Sequence, residues 1–403
     1  MQVTIKSLVF SLFLAQAAYG KDHSSHNCCL NTPEGWIPRN DWTEAVCAMR
    51  WGSVATFDGV KCIQKPGNGI SGDDFFTACK LYGLTHGYGP EWEKGAGYRV
   101  IEMERNILIV GATGQQGKAT IDALFRALKN SPDHEDIRIL ALTRSITSPK
   151  AQALQTEYPS ITLVQGDTQL PQLIFQQHPS ITSIFIVTVP PNDETQALPL
   201  IEAASSHASV DHIVFSSVDR GGDEVSWSQP TEIPHFAAKH RIELRLRELC
   251  KENNKRWTIL RPTGFMDSYN PGFFGQMMAS LWAEGMPKDR KMQLISTHDI
   301  GVFAAKALLD PGAWSGRALA LAGDELSFSQ LQEVFREVVG EELPQTYKIV
   351  AYPVLWMVKD ASKSFEWFRD EGWKADIQSL RAEEPSLQDF AAWLRESSKW
   401  KCV

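Results

Sequence analysis

Three features are missing from most of this chain, and each absence narrows what it can be. No run of Lys and Arg offsets the formal charge of −8, which argues against a general nucleic-acid surface. After the first twenty residues, no apolar stretch is long enough to span a bilayer. No internal repeat or low-complexity tract is evident. The 403 residues, 43% hydrophobic and 22% charged, therefore predict two or three globular domains.

Cysteine is scarce after residue 79, where only Cys250 and Cys402 occur. The other five lie close together in a stretch rich in Gly, Trp and Asn: Cys28, Cys29, Cys47, Cys62 and Cys79. This clustering predicts a small disulfide-containing extracellular module at residues 21–102, with the connectivity left open. The odd total leaves one thiol unpaired.

Residues 1–20 have the features of a secretory signal peptide. Lys6 supplies a basic n-region, residues 8–18 are apolar, and Ala18-Tyr19-Gly20 offers small residues for cleavage. The alternative is an N-terminal core strand or helix. Cleavage after Gly20 would expose Lys21-Asp22-His23, which can hold Cu(II) or Ni(II). A polar arm is the simpler interpretation, so no metal site is assigned.

The most informative segment is residues 103–117, where a short apolar run ends in glycines. Residues 107–110 predict a buried strand and residues 118–128 a helix. Between them lies Gly111-Ala112-Thr113-Gly114-Gln115-Gln116-Gly117. In a dinucleotide-binding turn, Gly111 permits the bend, Gly114 admits a pyrophosphate and Gly117 lets the helix pack on the strand. The alternative is an αβ turn without a ligand.

Further apolar runs alternate with helical segments. They predict strands at residues 137–143, 161–164, 181–187, 211–217 and 257–260. This alternation predicts an α/β fold with a doubly wound parallel sheet. We expect a dinucleotide-binding domain at residues 103–262. Residues 263–403 would form a smaller mixed α/β substrate or lid region, with some of its chain returning to the large sheet.

The ends of the predicted strands indicate which dinucleotide is bound. The second strand ends in a basic residue, Arg144, where NAD-binding chains usually carry Asp or Glu. A guanidinium there can pair with a 2′-phosphate, which favours NADP(H), although it can also be merely solvated. Asp167 follows the third strand and either accepts hydrogen bonds beside the adenine or caps the next turn. The backbone of residues 188–191 is expected near the nicotinamide ribose.

A helix between the fifth and sixth strands carries His235 and Lys239, four residues apart on one face. Lys239 can bind the nicotinamide ribose and lower the pKa of a neighbouring proton donor. The alternative is a surface lysine in a helix rich in charged residues.

Residues 1–102 and 103–403 suit different compartments. Disulfide modules belong to oxidising environments, whereas NADP(H) is plentiful inside cells. Met103 stands directly before the first predicted strand, where an independent chain would begin. We hypothesise that residues 1–102 come from a separate reading frame, joined by gene prediction or by genuine fusion. Residues 103–403 would then be cytoplasmic or nuclear, whereas a genuine signal peptide would send the chain into the secretory pathway.

Residues 103–403 resemble the NmrA-like family of atypical short-chain dehydrogenase/reductases. The segments that carry the resemblance are the glycine turn, Thr143-Arg144, Gln165-Gly166-Asp167, His235-Phe236-Ala237-Ala238-Lys239, residues 258–262 and 297–301, Asp376-Ile377, Phe390 and Trp393-Leu394-Arg395. The resemblance implies that residues 111–116 contact the pyrophosphate of NADP(H). It further implies that Arg144 to Ser148 surround the 2′-phosphate and that Gly166 and Asp167 flank the adenine.

The resemblance also assigns the nicotinamide half. Lys239 would reach the nicotinamide side, and Asp299 would belong to a structural turn. The central ribose would lie by Thr188, Val189 and Pro190, and the segment closing over the nicotinamide would be Phe265, Met266, Asp267 and Ser268. Short-chain dehydrogenases carry Tyr-x-x-x-Lys, but position 235 is His, as is common in NmrA-like proteins. His235 is then either an acid/base near neutral pH or an inert capping or packing residue. Isoflavone reductase-like relatives suggest a further route, in which Lys239 itself manages the proton.

Two functions remain open. One is an NADP-dependent oxidoreductase acting on a small, secondary-metabolite-like carbonyl or enone. An apolar lid over its substrate would contain Phe265, Met266, Tyr269, Phe273, Phe274, Met277, Met278 and Trp282. These residues have helical spacing, so the alternative is that they belong to the core. The other is a non-catalytic NADP(H) redox sensor or transcriptional co-regulator that acts through a partner protein.

Overall fold

A computed structural model describes residues 25–32, 35–65, 70–86, 96–97, 105–129, 137–346 and 359–403. The chain divides into two compact units, Met1–Glu102 and Met103–Val403. The predicted signal peptide, the Lys21-Asp22-His23 segment and Met103 lie outside the described residues. No helix in the described ranges is both long enough and apolar enough to cross a membrane.

The described residues of the smaller unit form short strands and two helices, and disulfides link them. Its elements are β1 (Ser25–His26), β2 (Cys29–Thr32), β3 (Gly35–Pro38), α1 (Asn40–Trp51), β4 (Ala55–Phe57), β5 (Cys62–Gln64), α2 (Gly72–Thr85) and β6 (Ala96–Gly97). β1, β5 and β4 form one antiparallel sheet, and β3, β2 and β6 form another. Trp42 and Phe75 are buried in its core.

Two bridges, Cys28–Cys79 and Cys47–Cys62, supply the connectivity that the sequence left open. They use four of the seven cysteines. The expectation of one unpaired thiol is therefore wrong, because Cys250 and Cys402 both lie outside a bridge. Cys250 is buried in the core of the larger unit, whereas Cys402 is exposed.

The larger unit is built on a seven-stranded sheet. The strands of the larger unit, seven of which form this sheet, are β7 (Arg105–Ile109), β8 (Ile137–Thr143), β9 (Thr162–Gln165), β10 (Ile181–Val187), β11 (His212–Ser216), β12 (Arg256–Pro262), β13 (Gly264–Phe265), β14 (Met292–Ile295), β15 (Arg317–Leu321) and β16 (Asp324–Leu326). The sheet has the order β15-β12-β11-β10-β7-β8-β9, and all its pairs are parallel. Its central strands are almost wholly apolar because helices cover both faces.

Helices follow most strands. They are α3 (Gln115–Lys129), α4 (Pro149–Glu157), α5 (Pro171–Gln177), α6 (Asp193–Ser206), α7 (Asp223–Ser228), α8 (Pro234–Glu252), α9 (Phe273–Gly285), α10 (Thr297–Leu309), α11 (Pro311–Trp314), α12 (Phe328–Val339), α13 (Lys359–Asp370), α14 (Ile377–Glu383) and α15 (Phe390–Glu396). One buried cluster, with Ile121 and Phe303, packs α3 and α10 on the sheet. A second, with Leu200 and Leu246, packs α6 and α8.

Part of the chain after residue 262 forms the smaller mixed region that the sequence predicts. β13 pairs parallel with β14, and β14 pairs antiparallel with β16. A third core containing Trp282, Phe335 and Trp393 holds this region together. β15 returns to the large sheet beside β12. The predicted doubly wound α/β fold is confirmed.

Candidate functional site

The order of the strands creates a switch point at the carboxyl ends of the strands of the large sheet. From β7, successive strands are added on one side as β8 and β9, whereas β10, β11, β12 and β15 are added on the other side. The order in which the chain adds strands to the sheet therefore reverses between β7 and β10. In open α/β sheets, ligands bind where the carboxyl ends of the strands meet such a reversal.

The glycine turn lies at the end of β7, at this switch point. Gly111 has φ of +69°, and a Cβ there would lie 2.7 Å from Val187 Cγ1. A Cβ on Gly117 would lie 2.3 Å from the carbonyl oxygen of Gly111. The Gly114 amide donates to that same oxygen at 2.8 Å, and α3 begins at Gln115. Only glycine at positions 111 and 117 allows this turn to bring the start of α3 to the end of the strand.

Lys239 reaches the same switch point from α8. Its side chain is buried, and Nζ donates to Thr188 Oγ1 at 3.2 Å and to the Ser216 carbonyl oxygen at 2.9 Å. Thr188 follows β10 and Ser216 ends β11, so the ammonium group joins two strand ends. Burial lowers the pKa of Lys239 to about 8, although the charges of Asp193 and Glu243 oppose that shift.

Asp193 and Gln116 extend this group of contacts. Thr188 Oγ1 donates to Asp193 Oδ1 at 2.5 Å, and that oxygen lies 3.8 Å from Lys239 Nζ. Asp193 is the first residue of α6 and is fully buried. On the other side, Ser216 Oγ donates to Gln116 Oε1 at 2.6 Å. The site therefore connects the start of α3, the ends of β10 and β11, and the starts of α6 and α8.

A fully buried ion network lies one helical turn beyond Lys239. Glu243 on α8 accepts hydrogen bonds from the guanidinium groups of Arg220 and Arg261, with shortest distances of 2.8 Å to each. Burial by itself would raise the pKa of Glu243, but the two arginines hold it below its usual value. Because every charge here is paired within the chain, the network supports the site rather than offering it a free group.

The predicted 2′-phosphate and adenine residues lie at the ends of β8 and β9. Arg144 is exposed, and no described residue pairs with its guanidinium. Ser148 accepts a hydrogen bond from the Ala151 amide at 3.3 Å and caps α4. The Gly166 amide donates to the Thr143 carbonyl at 3.0 Å, which brings the two strand ends together. Asp167 accepts from the Gln169 amide at 2.9 Å, so it does cap the following turn.

Val189 and Pro190 are exposed beyond Thr188. The Gln196 side chain holds the Val189 backbone, accepting from its amide at 3.1 Å and donating to its carbonyl at 2.7 Å. The backbone groups expected beside the ribose are therefore engaged by α6. Of this segment, only Thr188 joins the Lys239 contacts.

His235 is half-buried near the start of α8 and makes an edge contact with the Phe236 ring, at a centroid distance of 4.7 Å. It lies one turn before Lys239, where short-chain dehydrogenases carry tyrosine. This packing contact is compatible with either role predicted for His235.

The segment expected to close over the nicotinamide is held by packing and by hydrogen bonds within the chain. Met266 is fully buried in the third core. Asp267 accepts hydrogen bonds from the Thr297 amide at 2.8 Å and hydroxyl at 2.7 Å, which holds it against the start of α10. Phe265 and Ser268 are half-buried. Asp299 is buried and accepts from Ser296 Oγ at 2.7 Å, in a structural turn as expected.

Three of the residues considered for an apolar lid are core residues, which is the alternative that their spacing also allowed. Met266, Tyr269 and Trp282 face the third core, because α12 and α15 pack on the same side. Phe273 and Phe274 at the start of α9 are 62% and 59% exposed, so they remain available to a ligand. Met277 and Met278 are half-buried against the core.

Sequence reasoning missed Asp193 as a site residue. An acidic pair at the start of α6 is also the normal complement to a helix dipole, so the sequence offers no signal that distinguishes Asp193 from Glu194. No group of three or more His, Cys, Asp or Glu side chains in the described ranges is arranged to hold a metal ion.

The sheet order and the glycine turn together define a Rossmann-type α/β protein. Residues 103–382 match the sequence profile of the NmrA-like family. The chain belongs to that family.

This chain is similar at low sequence identity to known proteins, two of which are solved structures. NmrA, a negative transcriptional regulator solved in complex with NADP, is 17% identical, with a TM-score of 0.55 over 74% of this chain and 96% of NmrA. Triphenylmethane reductase from Citrobacter sp., solved with NADP(H), is 17% identical, with a TM-score of 0.53 over 72% and 99%. Prestalk A differentiation protein A of Dictyostelium discoideum is 23% identical over 259 residues, which cover 62% of this chain and 76% of that protein.

Proposed function

We propose that residues 103–403 bind NADP(H) in the crevice between β7 and β10 and act as an NADP(H)-dependent oxidoreductase on a small carbonyl or enone. The observation that carries this proposal is a buried lysine at the switch point of the sheet, which contacts Ser216, the residue whose side chain bonds Gln116 of the glycine turn. The structural neighbours solved with NADP(H) or NADP include both a reductase and a regulator, so the shared fold does not choose between the two functions.

The turn fits a dinucleotide. Glycine at 111 and 117 lets the start of α3 lie close to the end of β7. No described residue accepts a hydrogen bond from the amides of Gln115 or Gln116. Amides at the start of a helix bind phosphate oxygens well. Arg144, exposed at the end of β8, would pair with a 2′-phosphate through its planar fork.

Lys239 supplies the proton chemistry in this proposal. A bound nicotinamide would provide or accept the hydride. Lys239 uses two of its three N–H groups within the chain, which leaves one for a ribose hydroxyl or a substrate oxygen. A pKa near the working pH allows the same nitrogen to give or take the proton that balances the hydride. Exposed Phe273 and Phe274 offer an apolar surface for a substrate.

A redox sensor that acts through a partner protein is the second candidate. The absence of the tyrosine at position 235 favours it, since the chain lacks the phenol that usually moves the proton. Tight binding of NADP(H) without turnover on any carbonyl or enone would select the sensor.

Nucleotide selectivity tests the proposal. Calorimetric titration of the full chain should show NADPH and NADP binding more tightly than NADH. Arg144→Ala should weaken NADPH binding about 10- to 100-fold, because a charge-assisted pair contributes about 1.5–3 kcal/mol, and should leave NADH binding unchanged. Arg336→Ala is the matched control, because it removes an exposed arginine of α12 that pairs with Glu342. It should change the binding of neither nucleotide. Equal losses for both nucleotides in Arg144→Ala would contradict the assignment.

A turnover screen then separates the two functions. Loss of NADPH absorbance with a panel of carbonyls and enones, abolished in Lys239→Met, supports the oxidoreductase. Nucleotide binding with no turnover on the panel contradicts it.

A further inference from the structure

We propose that Asp193 is the positioning residue for Lys239: through Thr188 it fixes the direction of the ammonium group and keeps that group charged. This inference rests on the proposed function, because it assigns the group that prepares Lys239 for its role. Asp193 is not expected to touch substrate or nucleotide.

The first argument is geometric. Lys239 Nζ donates to Thr188 Oγ1, and the same hydroxyl donates its only proton to Asp193 Oδ1. This direction is forced, since an ammonium group only donates and a carboxylate only accepts. The threonine oxygen is thereby aligned to receive the lysine. The Thr188 hydroxyl therefore connects the Lys239 ammonium group on α8 to the Asp193 carboxylate on α6.

The second argument is what Asp193 does not do. The N-cap position of α6, whose side chain normally accepts from the backbone amides of the first turn, belongs to Asn192, and Asp193 is the first residue inside the helix. Among the described residues, Asp193 Oδ2 has no hydrogen-bond partner and Oδ1 accepts only from Thr188. Asp193 therefore does not cap α6. A fully buried carboxylate is costly unless a charge compensates for it, and Lys239 Nζ at 3.8 Å is that charge.

The charges around Lys239 give the sign of the effect. Asp193 on α6 and Glu243 on α8 raise the pKa of Lys239, whereas burial and Arg220, in the segment after β11, lower it. Glu243 is already shared by two arginines, so Asp193 is the less compensated of the two carboxylates. Removing the negative charge of Asp193 would lower the pKa of Lys239 further and leave a neutral amine at neutral pH.

Titration of Lys239 by NMR tests this directly, without nucleotide. The full chain carrying ¹³Cε-labelled lysine would be titrated with alkali, and the Lys239 signal assigned by its loss in Lys239→Met. Asp193→Asn keeps the shape and the acceptor for Thr188 but removes the charge. We expect the titration midpoint of Lys239 to fall by about one pH unit or more.

Glu194→Gln is the matched control, because Glu194 is the next residue of α6 but pairs with Arg241. It should leave the midpoint where it is in the unmodified protein. If Asp193→Asn does not fold, Thr188→Val removes the shared hydroxyl and should lower the midpoint by a smaller amount. An unchanged midpoint in Asp193→Asn, or in Thr188→Val where that variant must stand in, would overturn the inference.

NADPH titration on the same samples distinguishes this inference from the proposed function. A shifted midpoint with no NADPH binding by the unmodified protein supports the role of Asp193 and contradicts the proposed function. Normal NADPH binding with an unshifted midpoint supports the proposed function and contradicts the role of Asp193. When both hold, NADPH binding should weaken as the pH is raised, and this weakening should begin at a lower pH in Asp193→Asn than in the unmodified protein.

Discussion

The two units of this chain are stabilised in different ways. Met1–Glu102 has a small core around Trp42 and Phe75, and two disulfides link its helices to the rest of the unit. Met103–Val403 has no disulfide among its described residues and relies on a seven-stranded sheet covered on both faces. Small domains that cannot bury enough apolar surface commonly use covalent links, whereas larger ones do not need them.

The difference bears on the origin of the chain. A disulfide module suits an oxidising compartment, whereas an NADP(H) site suits the cell interior. The boundary between the units falls between Glu102 and Met103, where we hypothesise that two reading frames meet. Mass spectrometry of the native protein tests this hypothesis. A peptide spanning residues 95–110 would contradict a misjoined gene.

Reduction of the disulfides should have the largest effect and should be confined to the smaller unit. Chain entropy gives about 3 kcal/mol for the bridge across 15 residues and about 4 kcal/mol for the bridge across 51. Hydrogen exchange of the full chain with and without a phosphine reductant should therefore show lost protection in residues 25–86 alone. Comparable losses in the large sheet would contradict the division.

In the larger unit, the buried ion network should be the most sensitive point. Glu243→Gln leaves the guanidinium groups of Arg220 and Arg261 without their shared carboxylate and should lower the free energy of unfolding by about 3–5 kcal/mol. Chemical denaturation measures this change. Glu194→Gln breaks a partly exposed pair instead and should cost far less. Similar losses in both variants would show that burial does not matter here.

Acid should destabilise the larger unit through His212. Burial, together with the charges of Arg256 and Arg105, lowers the pKa of this histidine from 6.5 to about 3. Between these values the unfolded chain binds a proton that the folded chain excludes, so stability falls as the pH falls. At pH 4 the cost should be about 3 kcal/mol relative to pH 7.5. His212→Gln, which keeps a donor toward Thr258, should remove most of this dependence.

Gly117→Ala should give the smallest change in stability but a specific loss of nucleotide binding. The added methyl group would lie 2.3 Å from the Gly111 carbonyl oxygen, so the turn must shift, at about 1–3 kcal/mol. Gly312→Ala adds the same group where its nearest contact is an ordinary 3.4 Å and is the control. Thermal unfolding and NADPH titration of both variants check the prediction. Unchanged NADPH binding in Gly117→Ala would contradict the role of the turn.

The sequence predicted the sheet better than the site. Apolar runs bounded by turn residues placed the strands at 137–143 and 181–187 with the bounds observed. The helix with Lys239 was also anticipated, and it is the helix Pro234–Glu252. These features depend on local pattern, which a single sequence records.

What the sequence could not show depends on which elements become neighbours. Asp193 approaches Lys239 only because β10 and β11 are adjacent and their helices cover the same face. Trp282 and Met266 were placed in a lid because an apolar helix face has the same pattern toward solvent as toward a core. The packing of α12 and α15 decided between the two.

Hydrogen exchange with bound nucleotide tests the central claim most directly. Addition of NADPH to the full chain should protect the amides of residues 111–117 and 143–148, and should leave residues 25–86 unchanged. The 2′-phosphate should make NADPH more effective than NADH at the same concentration. Absence of protection at residues 111–117 with millimolar NADPH would contradict the claim that this turn holds a dinucleotide.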